Sequence, residues 1–71
     1  MSDFDASRCA GAFLKRLIEE NGMTQESFAF DFGADVRTVN RYVNNGINKI
    51  TVLQELAEYF QVSILDFFQG M

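Results

Sequence analysis

Apolar residues recur at three- and four-residue spacing along most of the chain, a period that predicts helices and no strands. Ala10, Phe13, Leu14, Leu17 and Ile18 form the first stripe. They belong to a helix that starts near Asp5 or Ser7 and runs to about Asn21, where Gly22 suits the left-handed residue that closes a helix. Thr24 is a good N-cap for a second helix, and Glu26 in its first turn complements the helix dipole. Phe28, Ala29 and Phe32 share one side of it, and Gly33 ends it. Asp35 caps a third helix, Val36 to about Asn44, in which Val39, Tyr42 and Val43 face inward. That leaves Val36, Arg37, Asn40 and Arg41 facing outward. Asn45 and Gly46 both tolerate positive φ and stop the helix.

A loop through Lys49 leads to Thr51-Val-Leu-Gln54, which has the form of a capping box. Val52, Leu53, Leu56, Ala57 and Phe60 are the buried face of the fourth helix. Ser63 caps a last short helix, with Val62 and Phe67 spaced for a hydrophobic staple. Residues 1–5 precede the first stripe and read as a flexible arm. The expectation is one all-α domain over residues 1–71, a compact five-helix fold. Within it, residues 24–44 form two short helices joined by a tight turn at Gly33, a layout that lets a small domain push one helix into a DNA groove.

Composition narrows the chemistry. A chain of 71 residues is near the lower end of what folds without staples, and its eight Phe and two Tyr supply much of the core. A single Cys9 excludes an internal disulfide and any zinc cluster. No His, no clustered acids and no Gly-rich phosphate loop are present, which argues against an enzyme and against any metal or cofactor. A lone thiol, no signal-type segment and no apolar run approaching about 20 residues fit a cytoplasmic protein. Cys9 itself reads as a small buried or half-buried hydrophobe.

The net charge of −4 has the wrong sign for a DNA binder, but it is unevenly placed. From Gly33 to Thr51 one acid, Asp35, stands against Arg37, Arg41 and Lys49, giving +2. The rest of the chain carries nine acids against Arg8, Lys15 and Arg16, giving −6. With a Debye length of roughly 8 Å at physiological salt, the distant acids are largely screened.

The ordered set Leu17, Asn21-Gly22-Met23-Thr24-Gln25, Phe28-Ala29, Gly33, Val39, Leu53, Leu56-Ala57, Phe60-Gln-Val-Ser63 and Phe67-Phe68 resembles the lambda-repressor-like (Cro/cI, XRE-type) helix-turn-helix family of bacterial and phage regulators. The likeness covers about Phe13 to Gln69. It implies that the third helix lies in the major groove, with Val36, Arg37, Asn40 and Arg41 at base edges. Arg suits guanine, Asn suits adenine, and Val36 suits a thymine methyl. It also implies phosphate contacts at Gln25, Thr38, Asn44 and Lys49, with Gln25 helped by the helix N-terminus. Three departures from the family's pattern stand out, one of them the acids Glu26 and Asp31 on helix two, near where phosphates would pass. Many members bury an Arg on helix one against a Glu on helix three, and Ile18 and Val43 stand there instead. Both halves change together, so no charge is left unpaired in the core. The Gly that usually ends helix three is Asn45.

Each of these residues also has a plainer reading, in which Arg37, Arg41 and Lys49 are solvated charges and Gln25, Thr38 and Asn40 are ordinary surface polarity. Phe30 is left facing outward on helix two, either sheltered by the N-terminal arm near Phe4 or part of a protein-contact patch. One of Phe67 and Phe68 must be core, while the other, with Met71, is a candidate dimer seam. The first functional expectation is a sequence-specific transcriptional regulator, a repressor reading a palindromic DNA operator as a homodimer. The alternative is a protein-interaction module that kept the fold but lost DNA, such as an antirepressor, an antitoxin-like partner or a phage or plasmid accessory protein. Its support is the acidic body, Glu26 and Asp31 on helix two, and the exposed Phe surface.

Overall fold

The computed structural model describes residues 3–69, with side chains from Ala6 onward. Four α-helices and a closing 3₁₀ helix follow in order: α1 (Asp3–Glu20), α2 (Gln25–Phe32), α3 (Val36–Asn45), α4 (Ile50–Phe60) and the 3₁₀ helix Ile64–Phe68. No strand occurs among the described residues. Residues 3–5 of the expected arm are therefore helical, and the first two lie outside the described range.

The caps predicted around the Gly33 turn form. The Thr24 hydroxyl accepts from Ser27 N at 3.0 Å and the Ser27 hydroxyl accepts from Thr24 N at 2.9 Å, a reciprocal box that opens α2. Gly33 closes α2 with φ at 88°, and the N–H groups of Gly33 and Ala34 both reach Ala29 O at 2.9 Å. One residue later the Asp35 carboxylate accepts from Arg37 N at 3.0 Å and starts α3. Three residues, Gly33, Ala34 and Asp35, thus end one helix and begin the next, which fixes the angle between them.

The capping box at Thr51-Val-Leu-Gln54 does not form. α4 begins one residue earlier, at Ile50, after an N-cap Lys49 that makes no side-chain bond. The reason lies upstream. Ile47 is buried and its N–H donates to Ser7 O at 3.0 Å, so only Asn48 and Lys49 remain to reverse the chain. Ser63, by contrast, makes the predicted cap with Asp66 as reciprocal partner.

The core joins Ala10, Leu14 and Ile18 of α1 to Phe28, Val39, Ile47, Leu53, Leu56 and Phe67. Phe28 sits at the centre of an aromatic group, with ring centroids 5.1 Å from Phe32, 5.2 Å from Tyr59 and 5.3 Å from Phe60. Burying a ring of that size stabilises the fold by about 1.5–3 kcal/mol. Phe67 is fully buried and meets Phe13 edge-on at 4.9 Å. It is the core member of the Phe67–Phe68 pair and is withdrawn from any interface. Ile18 is buried and Val43 half-buried, and no charged residue is buried among the described residues.

α1 packs most extensively on α3, through a seam without side chains. A Cβ on Gly11 would collide with the carbonyl oxygen of Tyr42 and stand 3.1 Å from Gly46 Cα. A Cβ on Gly46 would lie 2.7 Å from the Ser7 carbonyl oxygen, and its φ of 103° is itself unfavourable for an L-residue. Of the two residues expected to stop α3, Gly46 does so, while Asn45 stays helical. α3 is thus docked backbone to backbone on α1.

Candidate nucleic-acid interface

With its inner side taken by Val39, Tyr42 and Val43, α3 exposes Val36, Arg37, Asn40, Arg41 and Asn44. Helical spacing divides the polar surface into two flanks. Asn40 and Asn44 fall on the side of α2, whereas Thr38, Arg41 and Asn45 fall on the side of the loop to α4.

On the α2 flank three carboxamides form a line. Asn44 Nδ2 donates to Asn40 Oδ1 at 2.8 Å, and Asn40 Nδ2 donates to Gln25 Oε1 at 3.4 Å. The Gln25 oxygen is therefore engaged and its amino group is left to donate outward, beside the N-terminus of α2. That is the polarity a phosphate oxygen requires.

On the loop flank Thr38, Arg41, Asn45 and Lys49 line an open groove of about 450 Å³, with Ser7 and Asn48 at its far side. Arg37, Arg41 and Lys49 form no ion pair among the described residues. Asn45, Asn48 and Ser7 were not among the contact residues expected from the sequence. The run of polar residues from Asn44 to Lys49 held that signal for the two asparagines, but nothing local points to Ser7, which only the α1–α3 seam brings there.

The two acids of helix two have different surroundings. Asp31 accepts a hydrogen bond from the Tyr59 hydroxyl on α4 and lies at a groove with Asn21, Met23 and Gln61, apart from the outer residues of α3. That bond, with partial burial and the nearby carboxylate charge, raises the Tyr59 phenol above its usual value. Glu26 remains exposed in the first turn of α2, next to Gln25.

A capped helix, a one-glycine turn and a second capped helix with a polar front are the parts of a helix-turn-helix. The helix-turn-helix family model matches the chain over residues 14–67. The chain belongs to the XRE-type, lambda-repressor-like helix-turn-helix family. Members of this family are DNA-binding transcription regulators. No curated protein and no solved structure matches the chain significantly. Among the described residues no helix is long and apolar enough to cross a membrane.

Within this helix-turn-helix domain the apolar surface is unevenly spread. Phe30 is 90% exposed, and Phe4, the residue expected beside it, lies outside the residues whose side chains are described. Phe68 is half-buried and lines a groove with Ile47, Ile50 and Leu53. Ile50 and Leu65 are exposed too, and sequence reasoning missed both. Ile50 escaped because it preceded the cap expected at Thr51, Leu65 because no period can be read from a single 3₁₀ turn. Met71 lies outside the described residues.

Proposed function

We propose that the protein is a sequence-specific transcriptional repressor that binds a palindromic DNA operator as a homodimer. α3 enters the major groove with Val36, Arg37, Asn40 and Arg41 toward base edges. Gln25, Thr38 and Lys49 meet the phosphates on either side. The observation that carries this reading is the front of α3. It presents Arg37 and Arg41, which form no ion pair among the described residues, and an oriented amide line on a helix fixed from behind by backbone contact. The −6 carried by the rest of the chain lowers non-specific affinity, and the cation–phosphate contacts make binding salt-dependent.

Dimerisation multiplies the weak contact of one short helix by placing two half-sites one DNA turn apart. The apolar groove of Ile50 and Phe68 supports it, because it adjoins the loop flank through Ile47 and Asn48. Selection from random duplexes at low and then physiological salt tests the proposal. Enrichment of a palindrome supports it, and an unenriched pool contradicts it.

A protein-binding role is favoured by one observation, the exposed Phe30 on the same helix as the exposed Glu26. An aromatic residue that projects so fully is a common anchor at protein interfaces. Phe30→Ser separates the two readings: it leaves duplex binding intact if DNA is the ligand of this domain, and abolishes partner capture if a protein is.

A further inference from the structure

We propose that Asn44 and Gln25 are positioning residues that hold the Asn40 carboxamide in one orientation, and that Asn40 so held reads adenine at one operator position. The inference rests on the DNA-binding reading above and changes the part played by Asn44, which the family resemblance had assigned to a phosphate.

An exposed carboxamide normally presents its donor and acceptor ends in either order, because flipping the group by about 180° costs little in water. Asn40 lacks that freedom. Its Oδ1 accepts from Asn44 at 2.8 Å on one side, and its Nδ2 donates to Gln25 at 3.4 Å on the other. Flipping Asn40 alone would set two amino groups against each other at Asn44 and two oxygens against each other at Gln25. The line runs in one direction, and all three groups must reverse together to change it.

The inventory of atoms then selects a base. A carboxamide has two N–H donors and two acceptor lone pairs. Asn40 spends one of each within the line and keeps one of each. Adenine offers one acceptor and one donor in the major groove, N7 and the N6 amino group, whereas guanine offers two acceptors, N7 and O6. The remaining donor and lone pair of Asn40 complement adenine and leave its oxygen facing the guanine oxygen.

The phosphate enters at the far end of the same line. Gln25 accepts from Asn40, so its own amino group is free to donate beside the N-terminus of α2. A phosphate that accepts from Gln25 Nε2 prevents reversal of Gln25, and through it of Asn40 and Asn44. Backbone contact and base choice, ordinarily separable, are linked through three side chains.

The experiment has two arms on the full chain. In the first, the side-chain amide signals of Asn40 are followed by NMR without DNA. Asn44→Ala and Gln25→Ala each shift them if the line exists, and unmoved signals overturn the inference. In the second, base preference is measured at every position of the duplex selected by the wild type. Asn40→Ala should lose roughly ten-fold preference for adenine at one position. Asn44→Ala should lose preference at that same position, and the Asn40→Ala/Asn44→Ala double variant should lose no more than Asn40→Ala. Uniform weakening by Asn44→Ala on all duplexes, with adenine preference intact, would return Asn44 to a phosphate and overturn the inference. Thermal melts show whether each variant is folded, and both asparagines are exposed. A wild type that selects no duplex fails the DNA-binding reading and with it the adenine assignment, while the NMR arm judges the amide line independently.

Discussion

The back and the front of α3 are built on opposite principles. Behind, Gly11, Gly46 and Ser7 bring two backbones together, with the Ile47 N–H on the Ser7 carbonyl closing the seam. In front, Arg37, Arg41 and Lys49 form no ion pair among the described residues, and Asn40 and Asn44 bond only to other amides. The back determines where the helix lies and has no chemistry to offer a ligand. The front has the chemistry and contributes little to stability. Substitutions on the two sides should therefore separate into those that unfold the protein and those that leave it folded but change what it binds.

The largest effect is expected at the seam. Gly11→Ala drives a methyl into the Tyr42 carbonyl, where neither backbone can yield without moving α3. Overpacking of that kind costs about 3 kcal/mol, and for a domain of this size the melting temperature should fall by more than about 10 °C. Circular dichroism melts check it. A variant as stable as the wild type would mean that the seam does not fix α3.

On the front, Arg37→Ala should leave the melt within about 0.5 kcal/mol. It should cost about 1–3 kcal/mol of discrimination at one base position in anisotropy titrations. Lys49→Ala on the loop flank should act differently. It should weaken all duplexes alike and reduce the slope of log affinity against log salt by about 1. If Lys49→Ala relaxes sequence preference instead, the division into two flanks is wrong.

The smallest effect concerns neither side. The Tyr59 phenol is raised above its usual value in the folded chain, chiefly by its bond to Asp31. Its contribution to stability is therefore full below the unfolded value of about 10 and is lost as pH rises through the higher folded value. Tyr59→Phe should flatten this part of the alkaline stability profile and change the neutral melt little. An unchanged alkaline profile would show that the bond adds nothing.

Much of this division was legible in the sequence, and the illegible part has a common cause. Thr24, Gly33 and Asp35 announce the helix-turn-helix because caps and tight turns depend on residues next to them in the chain. The buried faces of all four α-helices follow from their period for the same reason. Residues 36, 37, 40 and 41 were identified as outward-facing by subtraction from that period. The seam was not visible, because the need for glycine at position 11 arises from Tyr42, far along the chain. The start of α4 was misplaced because Thr51 satisfies the local rule for a cap while the anchoring of Ile47 decides where the helix begins. The amide line was equally hidden. Gln25, Asn40 and Asn44 were each named as candidates, but their mutual contacts depend on the angle that the turn sets between α2 and α3. Phe67 and Phe68, adjacent and identical, could be divided only by the turn of the 3₁₀ helix.

The central claim is that the front of α3 is the surface that reads DNA. An Arg37→Ala/Arg41→Ala double variant, titrated against the duplex that the wild type selects, tests it most directly. The expected result is a wild-type melt, affinity reduced to the level of a scrambled duplex and loss of preference at the base positions the two arginines face. Unchanged affinity and preference in a folded double variant would contradict it.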